Sequence, residues 1–84
     1  MTYRINLKPS AQKDLGKLPE KEVVKIASRI NNLKENPRPI GVQKLSNYEG
    51  YRIRSGNYRI LFIIDDSNKR IDVYRIKHRK EAYR

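Results

Sequence analysis

Arginine alternates with apolar and aromatic residues through the last third of this chain, first in Gly50-Tyr-Arg-Ile-Arg54 and then in Gly56-Asn-Tyr-Arg-Ile60. Three guanidinium groups, Arg52, Arg54 and Arg59, therefore fall on strand-like segments at a spacing of two along the first of them. A guanidinium matches a phosphate bidentately and stays charged at any physiological pH. The chain ends on His78-Arg-Lys-Glu-Ala-Tyr-Arg84, which adds its single histidine, a further arginine at Arg79 and a phenol at Tyr83. Imidazole is the one group in this set whose ordinary pKa lies near neutrality, so His78 is the candidate for moving a proton. Together the groups suit a polyanion and could do chemistry on one.

Alternation positions them. Successive side chains of a strand point to opposite faces, so one face can pack a core while the other carries charge. Segments 51–54, 58–64 and 71–77 read as strands, separated by the turn sequences Ser55-Gly-Asn57 and Asp66-Ser-Asn68, which make them antiparallel hairpins. Tyr51 and Ile53 share a face, as do Tyr58, Ile60, Phe62 and Ile64, leaving Arg52, Arg54 and Arg59 on the other. Tyr51, Tyr58 and Phe62 read as core, and Asp65 and Asp66 as hairpin residues. The last strand admits two registers, Ile71/Val73/Arg75 or Asp72/Tyr74/Ile76 facing the core, which differ by a one-residue slip.

The first half supplies support. Residues 3–7 alternate as a first strand. Pro9 opens a helix with Ala11, Leu15 and Leu18 on one side, and Gly16 and Pro19 end it. A second helix carries the stripe Val23, Ile26, Ala27, Ile30 and Leu33 and stops at Asn36-Pro-Arg-Pro39. Residues 37–49 read as a loop holding the apolar pair Val42 and Leu45. The order βααβββ predicts one domain over residues 1–84. Its class is α+β, a two-layer sandwich whose two N-terminal helices cover one face of a four-stranded antiparallel sheet.

Bulk composition narrows the function. The 84 residues contain 20 Lys+Arg against 9 Asp+Glu, a net charge of +11, which favours phosphate-rich or acidic partners. With no cysteine and one histidine, neither a disulfide framework nor a thiolate or histidine-rich metal site is expected. No apolar run approaches the ~20 residues of a membrane span, and the N-terminus lacks the apolar centre of a signal peptide. A cytoplasmic protein without cofactor is the expectation.

The motifs Lys44-Leu45, Gly50-Tyr-Arg-Ile-Arg54, Gly56-Asn-Tyr-Arg-Ile60 and His78-Arg-Lys-Glu-Ala-Tyr83, in a βααβββ order, resemble the RelE/ParE superfamily of type II toxins. The resemblance spans essentially the whole chain, with its specific motifs in the C-terminal half. It implies a metal-independent endoribonuclease that cuts mRNA in the ribosomal A site by attack of a 2′-OH on the adjacent phosphate, with an acidic RelB-like antitoxin as inhibitor. It further implies that Arg52, Arg54, Arg59 and Arg79 hold the scissile phosphate and that Tyr83 stacks on a base. His78 corresponds to a histidine of many relatives, and Lys44, Lys77 and Lys80 would add RNA contacts. RelE enzymes place lysines where this chain has Arg52 and Arg54. Arginine there keeps the phosphate clamp but makes a poor general base, so proton transfer is expected of His78. Two other readings share the charge pattern: a ParE-type poison of DNA gyrase, and a basic binding module without catalysis.

Overall fold

The computed structural model describes residues 2–45 and 50–82. Strand β1 (Arg4–Leu7) leads directly into helix α1 (Pro9–Gly16), which starts with proline in its first turn, where a missing N–H costs nothing. The Lys17 N–H turns back to the Asp14 carbonyl and the Leu18 N–H to that of Leu15, and Pro19 then takes the N-cap position of helix α2 (Glu20–Asn32). Glu20 and Glu22 in the first turn of α2 and Arg29 in its last turn complement the helix dipole. Four strands follow: β2 (Gln43–Lys44), β3 (Tyr51–Ser55), β4 (Tyr58–Asp65) and β5 (Arg70–His78), then a short helix α3 (Arg79–Ala82). Gly56 takes φ +59 at the first central position of the two-residue β3–β4 turn, the left-handed value a type II′ hairpin requires there.

The class is α+β as expected, but the sheet is five-stranded and mixed, ordered β1-β5-β4-β3-β2. Two features depart from the four-stranded antiparallel expectation. β1 pairs with β5 in parallel, Ile5 opposite Ile71 and Leu7 opposite Val73, because the two helices carry the chain back across one face before the hairpins begin. Within the expected loop, Gln43 and Lys44 add a two-residue antiparallel edge to β3.

One core joins both layers. Ala11 from α1, Ile26 and Ile30 from α2, and Leu33 just beyond it pack with Ile53, Ile60, Phe62, Ile71, Val73 and Ile76. Burying a side chain of this size is worth about 1.5–3 kcal/mol, so this cluster fixes which sheet face the helices cover. Ala27, expected in the α2 stripe, is exposed. β5 adopts neither expected register throughout. Leu61 pairs with Arg75 but Phe62 with Val73, so Tyr74 is the extra residue of a β-bulge. Ile71 and Val73 face the core before the bulge and Ile76 faces it after, which buries all three.

β1 ends opposite Val73, and α1 takes over the exposed edge of β5 from there. The Ser10 hydroxyl donates to the Tyr74 carbonyl at 2.6 Å, and the Asp14 carboxylate accepts the Ile76 N–H at 2.8 Å. Helix side chains thus complete a strand edge that would otherwise be open.

Candidate active site

Cross-strand pairing sets the arginines side by side. Arg54 lies directly opposite Arg59, and Arg59 directly opposite Lys77, giving a row of three cations across β3, β4 and β5. Direct cross-strand neighbours have Cα atoms roughly 4.5–5.5 Å apart and share a face. That face is opposite the one lined by Ile53, Ile60 and Ile76, which belong to the next row. Arg52 stands one step further along the same face, opposite Leu61. Arg54 is exposed, whereas Arg59 at the centre of the row is only 3% exposed. The arginine face is therefore covered at its middle rather than open along its length as expected.

Two of these arginines have defined supports. The Gln43 Oε1 accepts Arg52 Nε at 2.9 Å and also its Nη2, so the β2 edge holds the guanidinium by two donors. The Arg54 carbonyl accepts Arg29 Nε at 3.1 Å, tying β3 to α2. Gln43 was not singled out in the sequence, where a two-residue strand inside a loop leaves no period to read. Arg75 supplies another guanidinium on β5, but Asp14 engages it with Nε–Oδ2 at 2.8 Å. Burial works against the Asp14 charge, yet the hydrogen bonds from Arg75 and the Ile76 N–H outweigh it and hold the carboxyl below its ordinary pKa.

Arg79 and Lys80 are exposed on α3, and the Arg79 N–H donates to the Asn57 carbonyl at 2.7 Å. That bond fixes the start of α3 beside the turn that joins the Arg54 and Arg59 strands. His78 is not brought onto the arginine face. It lies opposite Tyr58, its ring meeting that phenol edge-on at a centroid distance of 5.2 Å. It lines a cleft of ≈ 250 Å³ with Asp14, Lys17 and Leu18 on the helix side. Its Nδ1 accepts the Lys80 N–H at 3.2 Å. Lys44 pairs with Tyr51 and so shares the face of Tyr51, not that of Arg52. Tyr83 lies outside the described residues.

At the far end of the sheet a second polar cluster is structural. Arg38 reaches Asp66 through Nη2 at 2.9 Å and the Tyr51 hydroxyl through Nε at 3.3 Å, while the Tyr3 hydroxyl donates to Asp66 at 2.6 Å. These hydrogen bonds, Arg38 first and Tyr3 second, lower the Asp66 carboxyl to about 2. The pair with Asp66 likewise raises the Arg38 pKa. The cluster pins the segment after α2 to β1, β3 and the β4–β5 turn. Among the described residues no three His, Asp or Glu side chains gather as a cation site, and no helix is long and apolar enough to cross a membrane.

Known proteins share both sequence and fold with this chain. A curated relative, toxin RelE of Mycobacterium tuberculosis, is 31% identical over 84 residues, covering 98% of this chain and 87% of its own. The toxin–antitoxin complex RelBE2 of the same organism matches with a TM-score of 0.84 at 25% identity over 93% of this chain and 99% of the matched one. The archaeal RelE–RelB complex of Pyrococcus horikoshii matches with a TM-score of 0.83 at 28% identity over 94% of this chain and 97% of the matched one. The family model described as "ParE toxin of type II toxin-antitoxin system, parDE" matches residues 5–83. The chain belongs to that toxin family, within the RelE/ParE superfamily of type II toxins.

Proposed function

We propose that this toxin is a metal-independent endoribonuclease that cleaves mRNA on the ribosome. The observation that carries the reading is the row Arg54–Arg59–Lys77 with Arg52 beside it. Cationic side chains set side by side on one sheet face offer several donors to a single polyanion. An RNA phosphate fits such a set of donors. In the reaction the ribose 2′-OH gives up its proton to water as its oxygen attacks the adjacent phosphorus, and the bond to the 5′-oxygen breaks as that oxygen takes a proton from water, leaving a 2′,3′-cyclic phosphate and a 5′-OH. Negative charge grows on the phosphoryl oxygens, and fixed guanidinium donors stabilise it without reorganising. Arg52 and Arg54 serve as that clamp with the buried Arg59 between strands behind them, Arg79 joins them from α3, and Tyr83 stacks on a base. Lys77 and Lys80 contact the RNA backbone. Lys44, on the far face of the β2 edge, reaches RNA only by wrapping around that edge.

The partner follows from the same charge. A net charge of +11 needs masking in the resting cell, and the RelBE2 and RelE–RelB structures hold toxins of this fold with their antitoxins. An acidic RelB-like antitoxin is the proposed inhibitor.

The test adds the purified chain to a reconstituted translation reaction and maps mRNA 5′ ends, with a ribosome-free control. Codon-phased cuts that need ribosomes support the reading. Arg54 and Arg79 are exposed, so Arg54→Ala and Arg79→Ala should abolish cleavage with the fold intact. Cleavage that survives both substitutions would remove the clamp from the mechanism. A second reading, poisoning of DNA gyrase, is favoured by the ParE description of the matched family. Gyrase-dependent DNA breaks with intact mRNA would establish it instead.

A further inference from the structure

We infer that His78 is a positioning residue: its imidazole Nδ1 caps helix α3, holding Arg79 against the end of the Arg54–Arg59–Lys77 row, and protonation of that nitrogen releases the segment. The inference rests on the proposed RNA site for its consequence but not for its geometry. His78 is the last residue of β5 and Arg79 the first of α3, so His78 occupies the helix N-cap position. An N-cap side chain accepts the backbone N–H of the second or third helical residue. Here the acceptor is Nδ1 and the donor is the Lys80 N–H, the second helical residue, at 3.2 Å. Only the deprotonated nitrogen can accept, so the cap requires the neutral imidazole carrying its proton on Nε2.

Three other contacts make this a joint rather than a loose end. Tyr58 of β4 meets the imidazole edge-on and fixes its plane. The Arg79 N–H, adjacent to the capped one, is already bound to the Asn57 carbonyl at 2.7 Å. Pairing of His78 with Tyr58, and of Lys77 with Arg59, turns the imidazole away from the arginines, which puts it out of place for taking a proton from RNA held there. The cap therefore gives the only histidine of the chain a role its position can perform.

The groups facing the ring decide how it responds to pH. From α1 come Asp14 and Lys17, from β4 the Tyr58 phenol, from β5 Arg75, and from α3 the Lys80 backbone. The carboxylate that lines this cleft, Asp14, is held by Arg75 and the Ile76 N–H. An imidazolium here would add a cation beside Lys17 and Arg75 and would lose its bond to Lys80. Protonation of the imidazole on acidification should therefore uncap α3.

The test compares wild type with His78→Asn, which keeps an acceptor suited to an N-cap, and His78→Ala, which removes it. Imidazole ¹⁵N shifts at pH 7.5 should show Nδ1 unprotonated. Protection of the Lys80 amide against exchange should fall about fivefold in His78→Ala at that pH. The same loss should occur in wild type on going to pH 5.5, and His78→Asn should stay protected at both. In the ribosome assay His78→Asn should retain cleavage and lose the acid-side fall of its pH profile, while His78→Ala is weakened at every pH. An Nδ1-protonated tautomer, unchanged Lys80 protection in His78→Ala, or a folded His78→Asn protein that does not cleave where wild type does would overturn the inference. If wild type itself leaves mRNA intact while Lys80 protection follows the pattern above, the cap stands and the ribonuclease reading falls.

Discussion

Removing the Asp14 carboxylate should be among the most damaging single changes outside the core. Asp14→Ala leaves the Ile76 N–H without its acceptor at a residue that is 4% exposed. An orphaned buried donor costs about 1–3 kcal/mol. The lost Arg75 pair adds less, because that side chain is 40% exposed and water takes it back, which keeps the contribution to ~0–1 kcal/mol. The sum is roughly 2–3 kcal/mol. A domain of this size loses ~4–8 °C in Tm per kcal/mol, so the midpoint should drop by about 10–20 °C. Asp14→Asn retains an oxygen for the Ile76 N–H and should lose only about 1 kcal/mol. The folded carboxyl titrates below its ordinary value of 3.8, so its stabilisation is complete above that pH and is lost as pH falls through the folded pKa. Thermal melts followed by far-UV circular dichroism at several pH values measure both effects. The gap between wild type and Asp14→Ala should be flat from pH 7 to about 4.5 and narrow below. An alanine variant within about 3 °C of wild type, or a gap that widens in acid, would refute the view that Asp14 completes the β5 edge.

Three further outcomes follow from the geometry. Gly50 sits at φ +144, and a Cβ there would stand 3.1 Å from the Phe62 carbonyl oxygen, so Gly50→Ala should cost about 1–3 kcal/mol in denaturant melts. Asp66 titrates at about 2 in the folded chain against 3.8 ordinarily. Asp66→Asn should therefore lower Tm at pH 7, with the difference from wild type closing as pH falls from about 3.8 toward 2. If Arg54 meets a phosphate, Arg54→Ala should reduce the slope of log K against log[salt] for a single-stranded RNA by ~0.7, measured by fluorescence anisotropy.

The element order, the helix stripes and the shared face of Arg52, Arg54 and Arg59 were legible because each depends on short-range periodicity. The pairing of β1 with β5 was not, since alternation in residues 4–7 says which way side chains point but not which distant strand they join. Nor was β2, where Gln43 and Lys44 gain strand geometry only from β3 beside them. The Asp14 contact escaped for the same reason: a lone carboxylate on a helix looks solvated until the strand edge it completes is known. Each of these is a long-range relation, and none leaves a local trace in the sequence.

The bulge at Tyr74 shows how one such relation decides the chemistry. Continued alternation from the buried Ile71 and Val73 would turn Arg75 and Lys77 into the core and place Ile76 and His78 beside Arg59. That register offers the arginines an imidazole, as the motif suggests, but it buries a lysine and exposes an isoleucine. The extra residue reverses both. Ile76 is buried, worth about 1.5–3 kcal/mol, and Lys77 comes to face Arg59. The apolar gain outweighs the lost ladder bond, about 0.5–1.5 kcal/mol, so the register with the bulge prevails. Its consequence is that the group opposite Arg59 is the Lys77 cation rather than the Ile76 side chain, and that His78 leaves the arginine face. The proposed phosphate clamp on that face therefore holds no imidazole, and the histidine is left at the junction of β5 and α3, directly before Arg79.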